Sequence, residues 1–269
     1  MKVIFVGSGP GSPDLLTLRG ARVLAQCRVC VYAGSLVNPE ILEMIPDSAE
    51  KHDSSKLNLD EITNIFADAM RRDIDVVRLH SGDPAIFGAI REQMMRLDAL
   101  KIAYEVIPGV SSFQATAAAL KIELTAPEIS QTIILTRTAG RTPMPEGQDL
   151  ESLAGIRATL CVFLSVDKID DVAVRLQKIY GPDCPAAVVR RASWPDQLIV
   201  SGTLSDIADK TKAARITKTA MIVVGPALGK NLPASKLYDA RFSHEFRKSV
   251  DCRRKNSFNN FIGRGSGPG

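Results

Sequence analysis

The chain has 269 residues, 45% hydrophobic and 24% charged, with a formal net charge of +4; such a composition excludes a disordered or fibrous polypeptide, and the length suffices for two domains with separate cores. The charge is uneven, because residues 230–269 hold nine Lys/Arg against three Asp/Glu and carry +6, leaving −2 on residues 1–229. No stretch reaches 18 uninterrupted apolar residues, and Met1-Lys2 leads at once into a strand pattern, so the sequence reads as a cytosolic protein with no membrane segment.

The first apolar run, Val3-Ile4-Phe5-Val6, ends in Gly7-Ser8-Gly9-Pro10-Gly11-Ser12-Pro13, followed by a helical pattern over 13–26. Clustered glycines at a strand end leave a wall of exposed backbone against which a cofactor can lie. Pro10 removes one N–H from that wall and fixes its φ, which suits a pyrophosphate cradle poorly. The expected ligand is therefore nucleotide-like without being a dinucleotide. With no fitting Gly-x-Gly-x-x-Gly and later ribose acid, nicotinamide-dependent oxidoreduction is disfavoured.

Onward from there the pattern predicts strand 29–32, helices 38–44 and 59–71, strand 74–80, helix 84–97, strand 103–107 and helix 111–120. Each crossover is long enough to hold a helix, so the sheet is expected to be largely parallel. Ligands of such sheets collect at the carboxyl ends of strands. Two further ends share the character of the first: His80-Ser81-Gly82-Asp83-Pro84 and Ile107-Pro108-Gly109-Val110-Ser111-Ser112. Taken singly, Asp83, Ser111 and Ser112 read equally well as helix caps. Three such openings in one half of the chain favour a binding site.

Lys121–Pro127 reads as a linker. Beyond it come strand 132–137, a loop Thr138-Ala139-Gly140-Arg141-Thr142-Pro143-Met144-Pro145-Glu146, strand 159–164, helix 167–179, strand 186–190, an edge strand or hairpin around 197–203, helix 203–214 and strand 220–224. Rising strand content predicts a mixed sheet. The five cysteines are odd in number and scattered, and Cys27-Gln-Arg-Cys30 lacks a second pair, so buried thiols are expected rather than a disulfide framework, a zinc centre or a redox pair. The region 230–269 has little periodicity and reads as a flexible basic extension; it alone favours a nucleic-acid partner, against a slightly acidic remainder.

Val6-Gly7-Ser8-Gly9-Pro10-Gly11-Ser12-Pro13-Asp14-Leu15-Leu16-Thr17, His80–Pro84 and Glu105–Ser112 together closely resemble the tetrapyrrole methylases, and the likeness continues through Val162-Phe163-Leu164 and Thr219–Gly225. Val31–Val37 and Thr136–Pro145 resemble the precorrin-4 and cobalt-precorrin-4 C11-methyltransferases within that family; the alternative is methylation at another macrocycle carbon, as in the uroporphyrinogen III or precorrin-2 methylases, against which the Arg137–Pro145 loop argues. Serine at position 8 replaces the usual alanine and is small enough to keep the turn. The resemblance implies a two-domain α/β fold, with a parallel-sheet domain over 1–122, a mixed-sheet domain over 123–229 and the site between them. It also implies S-adenosylmethionine as cofactor, no protein-bound metal, an anionic tetrapyrrole substrate, a homodimer, and no nucleic-acid or membrane partner.

By the same resemblance the cofactor touches Pro10, Ser81, Gly82, Asp83, Ser111, Ser112, Leu164, Ala192, Thr219, Ala220 and Met221. Asp83 is also, with Tyr32, a candidate catalytic residue, and offers its carboxylate or its turn backbone. Arg137, Arg141, Arg190 and Arg191 suit the macrocycle's carboxylates, since guanidinium binds carboxylate bidentately; the alternative is pairing with Glu146 or Asp196. Tyr32 would face the ring and orient it or assist proton loss, or else is a buried structural tyrosine. Trp194 reads as packing or as macrocycle contact, His80 as a satisfied core histidine, and His52 as a surface-loop residue.

Overall fold

The computed structural model describes residues 1–239, 242–243 and 245–248. Most of the expected basic extension, 230–269, lies outside the described residues. The first sheet is built from β1 (Lys2–Gly7), β2 (Val29–Tyr32), β3 (Glu50–Asp53), β4 (Val76–His80) and β5 (Ala103–Ile107), all parallel, in the order β3-β2-β4-β1-β5. The second contains β6 (Ile133–Arg137), β7 (Thr159–Phe163), β8 (Pro185–Arg190), β9 (Leu198–Thr203) and β10 (Ala220–Val224), ordered β6-β7-β10-β8-β9. There only β6 and β7 run parallel, so the sheet is mixed.

β1 is apolar at every position from Val3 to Val6 because both of its faces are covered. Val3 and Phe5 pack with Ile62 and Phe66 of α3 (Leu59–Arg71), while Ile4 and Val6 meet Leu24 of α1 (Leu18–Leu24) and Ile41 of α2 (Pro39–Leu42). Asn58 starts α3 through a reciprocal cap: its Oδ1 accepts the Glu61 N–H at 3.0 Å and the Glu61 carboxylate accepts the Asn58 N–H at 2.7 Å. In the second sheet, one face packs on α7 (Ile169–Tyr180), α6 (Leu150–Ala154) and α8 (Ile207–Ala213). Its other face, with Cys161, Phe163, Met221 and Val223, meets Phe113 and Ala117 of α5 (Ser112–Leu120), which belongs to the first unit. Buried side chains of this kind contribute roughly 1.5–3 kcal/mol each. The two units therefore share an apolar core beneath the crevice that separates their loops.

Four local expectations change. Helix 13–26 becomes a single 3-10 turn at Pro13–Leu15 and then α1, because Leu16 is extended and the Thr17 hydroxyl accepts the Gly20 N–H at 3.1 Å, capping a new start. Helix 84–97 is delayed to α4 (Arg91–Ala99), since Phe87 and Ala89 adopt left-handed φ of 53° and 48°. Such a backbone costs a non-glycine residue about 1–3 kcal/mol and is kept where surrounding structure holds it. β3 was hidden by its polar sequence Glu-Lys-His-Asp, the composition of a charged edge strand, so His52 sits in a strand rather than a loop. The short helix α6 follows Asp149, whose carboxylate accepts the Ser152 N–H at 2.9 Å.

Candidate active site

β1, β4 and β5 are neighbours, so their carboxyl ends bring the three glycine openings together. Backbone meets backbone there. The Ser8 N–H donates to the His80 carbonyl at 2.7 Å, and Gly9 and Gly82 exchange N–H···O bonds of 3.3 and 2.7 Å. A Cβ on Gly7 would lie 2.6 Å from both Gly109 N and Gly82 O, which makes glycine the residue that permits this contact. Asp83 completes the joint: Oδ1 accepts the Ala85 N–H at 2.8 Å and Oδ2 accepts the Gly109 N–H at 3.0 Å.

Across the crevice, the loop after β8 closes over the loop after β1. The Trp194 indole N–H donates to the Pro10 carbonyl at 2.8 Å and the Ser12 N–H donates to Ser193 Oγ at 3.0 Å. Asn38 Nδ2 donates to the Gly11 carbonyl at 2.9 Å from the other side. The Arg191 guanidinium stacks 3.9 Å above the Trp194 ring and reaches Asp196 Oδ2 at 2.8 Å. This clasp and the apolar floor beneath α5 define one cavity between the two units.

Pro10, Ser81, Gly82, Asp83, Ser111, Ser112, Leu164, Ala192, Thr219, Ala220 and Met221 all line that cavity. Its deep wall is formed by buried Phe163, Val189, Ala192 and Met221, its mouth by exposed Leu36, Phe87 and Leu164. The helix α5 begins at its edge, where the Gln114 side chain accepts the Ser111 N–H at 2.9 Å. An apolar interior with backbone polar groups at one end suits a nucleoside carrying a charged chain. Left-handed φ angles of 51°, 49° and 54° at Leu164, Arg191 and Thr219 turn the chain at the strand ends that form the second wall.

The remaining predicted residues are placed less uniformly. Both carboxylate oxygens of Asp83 are engaged by backbone N–H groups, so in this geometry the side chain clips two loops together rather than standing free as a catalytic acid or base. Tyr32 is half-buried at the end of β2, packs on the core beside α1 and α2, and is not among the cavity-lining residues. Arg137 donates to the carbonyls of Thr138, Thr142 and Pro143 at 3.0–3.3 Å, holding the loop that carries exposed Arg141. Arg190 pairs with Asp196 at 2.9 Å and lies off the cavity, whereas Arg191 lines it. Asp196, not Glu146, is thus the intramolecular partner of this pair. Burial, with Arg78 adding like charge, pushes His80 down to about 3, so it is neutral within the core; its buried Nε2 has no hydrogen-bond partner among the described residues, so it is not the satisfied histidine expected. Cys27, Cys30, Cys161 and Cys184 are free and buried.

Leu36, Ile86, Phe87, Thr116, Phe163 and Val189 also line the cavity and escaped the sequence reading. Thr116 had a usable signal, one helical turn beyond Ser112. Phe87 had none, because a helix from residue 84 would have turned the segment elsewhere.

The family model for "Tetrapyrrole (Corrin/Porphyrin) Methylases" matches residues 2–208. The cobalt-precorrin-4 C(11)-methyltransferase of Methanocaldococcus jannaschii is 50% identical over 250 residues, covering 92% of this chain and 96% of that protein. The precorrin-4 C(11)-methyltransferase of Rhodococcus erythropolis is 50% identical over 242 residues, covering 89% and 97%. Among solved structures, a cobalt precorrin-4 methyltransferase superposes with a TM-score of 0.83 at 41% identity, covering 85% of this chain and 96% of that one. The uroporphyrin-III C-methyl transferase of Thermus thermophilus, solved with S-adenyl homocysteine, gives a TM-score of 0.71 at 28% identity, covering 85% and 93%.

Proposed function

Because this chain belongs to the tetrapyrrole methylases, we propose that it transfers a methyl group from S-adenosylmethionine to C11 of precorrin-4, giving precorrin-5 in cobalamin biosynthesis. Membership makes it a methyltransferase; the ring carbon and the substrate are our reading. One observation carries it: every residue at which the resemblance expects cofactor contact lines a single cavity between the two units. The full-length likeness to C11-methylating relatives supports the choice of carbon.

The residues present fit the methyl donor. Val189, Met221 and Ala192 offer an apolar wall for its nucleoside, and the Ser81–Asp83 turn with the start of α5 offers backbone groups for its amino-acid end. When bound, the donor supplies a sulfonium methyl with a good leaving group. The chain's own task is positional: it must hold a ring carbon in line behind that methyl, and orientation of this kind is worth roughly 7–11 kcal/mol. The Asp83 clip fixes two loops that would hold the donor, and Trp194 and Asp196 hold Arg191 in the cavity lining, where its guanidinium would take a substrate carboxylate. Arg141 presents a second cation on its tethered loop.

Relatives at 50% identity include an enzyme named for the cobalt-containing substrate, which supports cobalt-precorrin-4 as a second reading. A cytosolic homodimer, acting without nucleic acid or membrane, completes the proposal. The test offers methyl-labelled donor with precorrin-4, cobalt-precorrin-4 and uroporphyrinogen III in parallel. Label at C11 of precorrin-4 is expected; preference for the cobalt complex selects the second reading, and transfer to uroporphyrinogen III alone rejects both.

A further inference from the structure

We infer that Phe87 is a substrate-binding residue whose ring forms part of the wall against which the apolar face of the tetrapyrrole lies; this rests on the proposed function. Three observations converge on it. Phe87 lines the cavity yet stays 46% exposed at the mouth, beside Leu36 at 48%, from a loop distant in sequence. Its backbone is left-handed, with φ of 53°, in the segment that interrupts the expected helix before α4. Its ring lies 4.9 Å from that of Phe163, tilted by 48°, so a residue of the first unit rests on the end of β7 in the second.

A phenylalanine packed only for stability would be sunk in the core, as Phe5 and Phe66 are. Here the outer ring of an aromatic pair faces open solvent at the entrance of the site. Apolar surface at a cavity mouth gains free energy when the apolar face of a large ligand covers it, and an aromatic ring offers a broad, rigid surface for that contact. The chemistry around it points the same way. Arg191 lines the same cavity, stacked on Trp194 and paired with Asp196, so the cavity that carries this apolar ring also carries a held guanidinium. That combination matches a large macrocycle with an apolar face and a fringe of carboxylates.

Phe87 acts on the ring substrate, not on the methyl donor, and the experiment separates the two. Phe87→Gly removes the ring and relieves the left-handed backbone, so folding is protected; Phe87→Tyr keeps the aromatic face. Steady-state methyl transfer to precorrin-4 and cobalt-precorrin-4, S-adenosylhomocysteine titration calorimetry and sedimentation are measured on the full chain. The glycine variant should raise KM for the tetrapyrrole about tenfold, the size of an aromatic contact, with kcat changed less than threefold. Its S-adenosylhomocysteine Kd should stay within twofold, and the tyrosine variant should remain within threefold of wild type throughout. An unchanged KM in the glycine variant overturns the assignment. Equal loss of S-adenosylhomocysteine affinity overturns it as well, and so does conversion to monomer at constant KM, which would make Phe87 a contact between copies. If wild type transfers methyl to no tetrapyrrole, the proposed function fails first and takes this assignment with it.

Discussion

Gly11 and Trp194 show how single residues govern the crevice. A Cβ on Gly11 would sit 2.0 Å from Trp194 Cδ1, a distance the rigid indole cannot accommodate without leaving its seat. Gly11→Ala should therefore break the Trp194–Pro10 hydrogen bond, shift the emission of this sole tryptophan to the red and weaken S-adenosylhomocysteine binding about tenfold or more; unchanged emission would contradict the clasp. The sequence marked both residues but could not pair them across 183 positions of chain. His80 is a second case. Its folded pKa is depressed to about 3 from 6.5, so the unfolded chain binds the proton more readily. Stability from keeping it neutral is full above about pH 6.5 and is lost as pH falls toward 3. His80→Leu should remove about one proton from the pH slope of unfolding in that window, read by urea titration at several pH values.

At the scale of elements, the carboxyl ends of β4 and β5 are joined by one side chain. Asp83→Ala removes acceptors from two backbone N–H groups, and charge-assisted bonds of this kind contribute about 1.5–3 kcal/mol. Thermal unfolding should occur several degrees lower and S-adenosylhomocysteine should bind at least tenfold more weakly. Asp83→Asn keeps one acceptor and should fall between. A kcat defect with intact binding would instead restore Asp83 to a direct role in the chemistry. The strands of both sheets were largely legible, because buried apolar runs such as Val3–Val6 and Ala220–Val224 have a strong pattern. The edge strand Glu50–Asp53 was not, since its polarity is that of a loop. Nor was the break at Phe87 and Ala89, whose left-handed backbone no local pattern announces.

For the molecule as a whole, the two units are held by the floor where β7 and β10 meet α5 and by the clasp over the mouth. The family model ends at residue 208 and the cavity lining ends at Met221, whereas the likeness to the Methanocaldococcus jannaschii relative covers 92% of the chain and so runs past residue 229 into the basic extension, which the sequence had set outside the resemblance. Deleting 231–269 should leave methyl transfer within about twofold of wild type, measured with labelled donor; loss of turnover in a folded deletion would give the basic extension a role in the reaction. The sequence by itself determined the α/β class, the parallel-then-mixed sheets and the glycine openings, because these depend on local periodicity and on backbone freedom within a few residues. Only the tertiary structure decided which groups remain available to a ligand. Asp83, Arg137 and Arg190 are committed to partners within the chain, Arg191 lines the cavity while sharing Asp196 with Arg190, Tyr32 lies outside the cavity, and Phe87 stands open at its mouth. A side chain's availability depends on what its neighbours in space already take from it, and those neighbours are set by packing between segments far apart in sequence.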